Sequence, residues 1–234
     1  MLNFLKQLHR RALDQDGESA TLLALMKGVR VAVGNRILDV GCGYGRNLRP
    51  LMAAGLCATG VEINLDIVTA NRRDGLDCLS VDEFKQTTNN YDAILMAHVI
   101  EHFAPVDLLV FMDGYLDRLR PGGTLVIATP LMSHYFYDDF DHVKPYQPAG
   151  ILMVFGKGAQ VQYYSRNKLE LLELRYRRSP LRLSHARSRF IRSPLRFVLM
   201  ASDLVSGAAY WVSGGLIGRV DGWIGVFEKV GESV

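Results

Sequence analysis

The chain has 234 residues, 49% of them hydrophobic and 22% charged, a composition that excludes disorder and suits one α/β domain with an appendage or two small domains. Its net charge of +3 is unevenly spread, because eight arginines and no acidic residue lie between Arg175 and Arg196, and subtracting those eight leaves about −5 elsewhere. Cys42, Cys57 and Cys78 show no metal-ligand spacing, and the N-terminus lacks a long apolar run, so no metal and a reducing cytoplasm are expected.

Residues 1–33 read as an amphipathic helical segment, with Leu2, Leu5, Leu8, Leu22, Leu23, Leu25 and Met26 at roughly helical spacing. Strands and helices then alternate. Strands are expected at Arg36–Val40, Ala58–Glu62, Asp77–Ser80, Tyr91–Ala97 and Thr124–Thr129, and helices at Arg46–Ala54, Asn64–Arg73 and Val106–Arg120. "RPGG" at 120–123 reads as the stop of the last helix. The alternation predicts a parallel sheet covered on both faces. Beyond it, Pro145–Gly156 fits a helix, and "QVQYYSR" with "LELLELRYR" fits an antiparallel hairpin turning at Asn167–Lys168. From Ser179 the alternation is lost, giving way to an arginine-rich stretch and an apolar, glycine- and serine-rich tail. The implied organisation is a helical segment over 1–33, a ligand-binding domain over 34–178 and a basic, apolar helical extension over 179–234.

"ILDVGCGYGRNL" (37–48) reads as a buried strand, a glycine loop and a helix start. Ligands of open parallel sheets sit at such carboxyl ends. A P-loop would need Gly-Lys-Ser/Thr, and Gly45-Arg46-Asn47 does not supply it. A dinucleotide fingerprint needs its third glycine one position later than the Gly41-x-Gly43-x-Gly45 spacing gives. Asp39, two residues before the first glycine, would repel a pyrophosphate but receive a cation. Glu62, ending the second expected strand, is placed to accept from ribose hydroxyls. The combination fits a nucleoside carrying an ammonium group.

"ILDVGCGYGRN", "GVEIN", "YDAILMAHVIEHF" and "LRPGGTLVIATP", in this order, resemble the motifs of class I S-adenosylmethionine-dependent methyltransferases, especially the small-molecule branch that includes ubiquinone and menaquinone methyltransferases. The resemblance spans about residues 35–175. It implies a Rossmann-like three-layer sandwich with a mostly parallel seven-stranded sheet whose last strand is antiparallel. It also implies that Gly41, Gly43 and Gly45 pass close to S-adenosylmethionine, with Asp39 near its methionine end and Glu62 on its ribose. Cys42 and Asn47 in the loop, Ile63 after Glu62, and Ala97 with His98 complete the expected cofactor contacts. Asp82 or Glu83 is offered to the adenine.

Methyl transfer asks the protein to position an acceptor, exclude water and remove a proton from a hydroxyl acceptor. His98 follows the fourth expected strand directly, and His102 lies a turn further on beside Glu101. "SHYFYDDFDHVKPY" (133–146), rich in aromatic and titratable residues, reads as an acceptor pocket or lid. His142 in it is the first choice of general base, with Asp141 or His134 second. Asp138, Asp139 and Asp141 have no diagnostic metal spacing, and no Asp/Asn-Pro-Pro-Tyr/Phe motif of DNA amino-methyltransferases follows the fourth strand.

The apolar run 197–217 is diluted by Asp203, serines and glycines, which argues against a span. It suits a homodimer contact, or with the arginines of 175–217 a peripheral membrane contact. No aromatic-basic platform accompanies the arginines, so nucleic acid is not expected as partner. The readings at this stage are O-methylation of a small-molecule or lipid-linked acceptor, a non-catalytic methyltransferase-like assembly module, or RNA methylation depending on Arg177 and Arg178.

Overall fold

A computed structural model describes residues 16–28, 36–133, 135–157, 164–182 and 195–230. The readings made for 1–15, 29–33, His134, "QVQY", 183–194 and 231–234 therefore lie outside the described residues. The described part of the N-terminal segment is helix α1 (Asp16–Gly28), whose Leu22, Leu25 and Met26 are buried.

The first half of the sheet follows the apolar runs. Strands β1 (Arg36–Val40), β2 (Cys57–Glu62), β3 (Cys78–Ser80) and β4 (Tyr91–Ala97) pair in parallel, β3–β2–β1–β4. Between them lie α2 (Leu48–Ala53), α3 (Leu65–Arg73) and α4 (Val81–Gln86). Helix α3 begins where the Asn64 side chain accepts from Asp66 N at 2.9 Å. Helix α4, not expected from the sequence, is started by a reciprocal capping box between Ser80 and Glu83.

Helix α5 (Pro105–Leu116) is shorter than expected, and strand β5 (Leu119–Pro130) begins earlier. "RPGG" is thus inside a strand rather than a helix stop. The register steps from Tyr91↔Leu119 to Ala93↔Thr124, so the four residues form a bulge, with Gly122 at φ +73°.

The second half of the sheet corrects the expected hairpin. Helix α6 (Pro148–Phe155) precedes strand β6 (Lys168–Ser179), which pairs antiparallel with β7 (Arg219–Val230); of the expected hairpin partner, the described residues 164–166 are not in a strand. The residues before β6 are held by α5 instead: Ser165 Oγ and Asn167 Nδ2 donate to Asp113 Oδ1 at 2.5 and 2.9 Å. Strand β7 also pairs antiparallel with β5, completing a seven-stranded sheet of order β3–β2–β1–β4–β5–β7–β6. The stretch 179–234, read as a helical extension, therefore supplies an interior strand as well as helix α7 (Leu195–Val212).

Alternate residues feed the two cores on either face. Leu38, Ile94, Leu125, Ile127 and Phe227 belong to one, and Ile37, Leu95, Val126, Ile224 and Val226 to the other. Because β7 runs opposite to β5 and β6, the connection 180–218 emerges at the carboxyl edge of the parallel strands, where the glycine loop lies.

Phe227 is fully buried in this interior strand. Phe227→Ala should cost about 4 kcal/mol in urea unfolding; a loosely attached tail would give under about 0.5 kcal/mol.

Candidate active site

The loop leaving β1 is shaped by glycine backbones. Gly41, Gly43 and Gly45 have φ of +67°, +49° and +75°. A Cβ on Gly41 would stand 2.7 Å from Val99 Cγ2, whereas one on Gly43 would meet nothing within 4 Å. The loop therefore packs on the residue after His98 at its first glycine and faces open space at its second. Gly43 N and Asn64 N donate to the two oxygens of Glu62, each at 3.0 Å. Each of those oxygens keeps a lone pair for a further donor.

Asp39 sits one residue from the end of β1, opposite Gly60 of β2 and Leu95 of β4. It is wholly buried, and neither carboxylate oxygen has a hydrogen-bond partner among the described residues. Burial first, then the nearby Cys78 and Glu62, push its carboxyl up to about 8. An orphaned carboxylate behind a glycine loop is a receptor for a cation that arrives with the ligand. Cys42 turns beneath the loop, its Sγ 3.6 Å from Cys78 Sγ, and a Cβ on Gly60 would come within 2.6 Å of it. Its side chain belongs to the packing under the loop.

The other expected contacts scatter. Asn47 accepts from Ser19 Oγ at 3.1 Å, which ties α1 to the loop. Ile63 is 82% exposed. Glu83 is engaged by Ser80 N and Arg72, leaving Asp82, exposed and 3.3 Å from Lys85, as the freer acid after β3. Ala97 ends β4 opposite Ala128.

His98 adopts φ +58°, held there by its N–H donating to Ala128 O at 2.8 Å. Its ring lies between two carboxylates, with Nε2 2.9 Å from Glu18 and Nδ1 3.3 Å from Glu101. Burial alone would lower its pKa, but hydrogen bonds to Glu101 and Glu18 outweigh this and raise it to about 9. For Glu18, burial would raise the pKa, yet His98 and Arg177 bring it down to about 2. Arg177 of β6 bonds Glu18 and, through Nε at 2.9 Å, Asp221 of β7. Sequence reading missed Glu18 and Asp221; only their long-range partners mark them.

His102 and His142 do come together, with ring centroids 5.0 Å apart. Each points Nδ1 at a backbone carbonyl: His102 at Asp141 O (3.2 Å) and His142 at Phe136 O (2.7 Å). A carbonyl only accepts, so both Nδ1 atoms carry a proton and Nε2 is the basic atom of each neutral ring; His142 Nε2 lies 3.7 Å from Asp139 Oδ2. Glu101 is fully buried beside them; its Oε2 accepts from Thr129 Oγ1 at 3.0 Å and its Oε1 is the oxygen that lies 3.3 Å from His98 Nδ1. Glu101, His102 and His142 each offer a ligand atom within 4.8 Å of the others. Sequence spacing concealed this set because His142 joins from a separate loop. Asp141 is exposed, and it contributes its carbonyl rather than its carboxylate.

These features define an α/β fold that gathers a glycine loop, an unpartnered buried carboxyl group and three histidines at the carboxyl edge of its parallel strands, the edge at which ligands of such sheets bind. Residues 3–184 match a family described as a methyltransferase domain, and the chain belongs to that family. It is 32% identical over 104 residues to a ubiquinone biosynthesis O-methyltransferase of Chelativorans sp., covering 41% of this chain and 40% of that protein. To the human mitochondrial ubiquinone biosynthesis O-methyltransferase it is 31% identical over 109 residues, covering 42% and 29%. The matched part is thus less than half the length of these relatives. Among solved structures, a putative methyltransferase from Bacillus halodurans superposes with TM-score 0.59 at 16% identity, covering 88% of this chain and 97% of that one. The magnesium protoporphyrin IX methyltransferase of Synechocystis, solved with bound SAM, gives 0.57 at 13% identity, covering 97% and 85%. At such identities the structures show a shared fold.

The Asp39 carboxyl gives a signed expectation. Its folded value of about 8 lies above the ordinary 3.8, so the folded chain holds a proton that the unfolded chain releases. Ligand-free stability should fall as pH rises from about 4 to about 8 and then level off. Asp39→Asn should remove that decline in urea unfolding at a series of pH values; an unchanged slope would mean that Asp39 is not held protonated.

Proposed function

We propose that the chain is an S-adenosylmethionine-dependent methyltransferase that O-methylates a small-molecule or lipid-linked acceptor. The observation that carries the reading is Asp39, a buried carboxylate with no partner, behind a glycine loop open at Gly43. Asp39 would hold the cofactor's cationic methionine end, and Glu62, already polarised by two N–H donors, would hold the ribose hydroxyls. The loop backbone from Gly41 to Gly45, with Asn47, Ile63, Asp82, Ala97 and His98, lines the proposed remainder of the site. When bound, S-adenosylmethionine supplies a methyl group on a positively charged sulfur.

The chain's own task is then to bring a hydroxyl into line and take its proton. His142 and His102 suit proton removal, because each neutral ring is oriented through Nδ1 and is basic at Nε2. His98, raised to about 9, serves as a hydrogen-bond donor at neutral pH and not as a base. The grouping of Glu101, His102 and His142, each with a ligand atom within 4.8 Å of the others, favours a second form of the same reading, in which the three would hold a divalent cation against the acceptor oxygen.

Arg177, on which an RNA-methylating reading depends, is turned inward onto Glu18 and Asp221, which weighs against nucleic acid. The association surface is placed in 175–217, as a homodimer contact or a peripheral membrane contact, with the reaction on the cytoplasmic side. No helix of the described residues is long and apolar enough to cross a membrane.

Transfer of labelled methyl to phenolic compounds in a lipid extract tests the proposal. His142→Ala should lower kcat by roughly 10²-fold or more while S-adenosylhomocysteine binding persists. Loss of turnover on chelation, restored by zinc or manganese, would assign the cation form. Full activity in His142→Ala would contradict both forms.

A further inference from the structure

Helix α7 turns much of its apolar surface outward. Its exposed positions carry Phe197, Val198, Leu204, Val205, Trp211 and Val212, with alanines 201 and 208 between them. They recur at i, i+1, i+7, i+8, i+14 and i+15, one continuous face of a helix. The inward face mixes Leu199, Met200 and Ala209 with Ser202, Asp203, Ser206, Gly207 and Tyr210. Asp203 is 2% exposed, while Val205 is 70% and Val212 89% exposed. A helix packed on its own protein ordinarily shows the reverse. The apolar surface continues beyond the helix through Leu216 and Ile217, both exposed.

The face is fixed in place. Tyr210 Oη donates to Arg178 O at 2.8 Å, and Arg178 Nη1 donates to Leu216 O at 3.2 Å. Arg178 adjoins Arg177, which reaches Glu18 and His98. Tyr135, in the loop that carries His142, donates to Arg182 O at 2.7 Å and lies under the Arg219 guanidinium at 4.2 Å. The connection between β6 and β7 thus stands at the edge of the sheet where the acceptor would enter.

We infer that the outward face of α7 docks on an anionic lipid surface, lying in the interface plane. The occupant follows from charge. In the sequence the helix is preceded by Arg182, Arg187, Arg189 and Arg192 and has Arg196 in its first turn, with no acidic residue among them, whereas Arg175 is paired with Glu173 and Arg177 with Glu18 and Asp221. The one acid between the helix start and residue 219, Asp203, points inward. A basic segment leading into an outward apolar stripe matches anionic headgroups above acyl chains. Trp211, exposed near the C-terminal end, suits the headgroup level. Asp203, an obstacle to any spanning helix, is compatible with one that lies flat. The inference deepens the association proposed for 175–217 and gives a lipid-linked acceptor a route to the proposed site.

The chain contains two tryptophans, Trp211 exposed and Trp223 buried in the core, so its emission reports on the helix. Wild-type protein should sediment with vesicles of phosphatidylcholine and phosphatidylglycerol in equal parts, and far less with phosphatidylcholine alone. Its emission should shift to the blue on binding, and raised salt should weaken the association. Val205→Glu with Val212→Glu should reduce vesicle affinity roughly tenfold or more, with S-adenosylhomocysteine binding unchanged. Absence of wild-type vesicle binding, equal binding to neutral vesicles, or a dimer in sedimentation equilibrium that Val205→Glu abolishes would each overturn the inference, the last by assigning the face to a second copy. Vesicle binding is read without turnover, so its failure leaves the methyl-transfer reading standing, and loss of cofactor binding leaves the vesicle result untouched.

Discussion

The least favourable group in this fold is the Asp39 carboxylate, held in the middle of the sheet with nothing to bond. Its neighbours explain why it stays there. β1 lies between β2 and β4, so Asp39 is enclosed by Gly60 and Leu95 across the ladder, and Gly41 turns the chain away immediately after the strand ends. Replacing such a group by an apolar side chain of similar size would be expected to stabilise an empty fold. Its presence makes sense where a cation completes it. The loop that bends around it and the Glu62 carboxylate that holds the loop lie at the same strand ends as that one unpartnered carboxyl group.

A second set of charges closes the same edge from above. Glu18 from α1, His98 after β4, Arg177 from β6 and Asp221 from β7 interlock, so four distant parts of the chain are joined there. The pairing of β6 with β7 makes this possible, because the antiparallel turn-back delivers Arg177 and Asp221 together and sends the 180–218 connection out beside them. The meeting of Arg177 with Asp221 and the departure of the 180–218 connection at this edge are therefore consequences of one topological step.

The sequence made the cofactor half legible and the acceptor half only partly so. β1 and β4 could be bounded to the residue because they are short apolar runs ended by glycine or histidine. Interior strand β7 was obscured: "VDGWIGVFEKV" is diluted by glycines, and its partner β6 lies 40 residues back across a basic insertion. The same proline and glycines that stop helices also make bulges, which is why "RPGG" was misassigned. His142 and His102 were visible as residue types, but their shared tautomer depends on carbonyls of Phe136 and Asp141 that only the folded loop supplies. Asp203 spoke against a spanning helix, yet no periodicity revealed that it faces inward.

The proposed cofactor site requires that Asp39, protonated in the free protein, ionise to receive a cation. Calorimetric titration with S-adenosylhomocysteine near neutral pH, repeated in buffers of different ionisation enthalpy, measures this directly. A proton released on binding, seen as an enthalpy that depends on the buffer and lost in Asp39→Asn, is the predicted result. Binding with a buffer-independent enthalpy, or equal binding by Asp39→Asn, would contradict it.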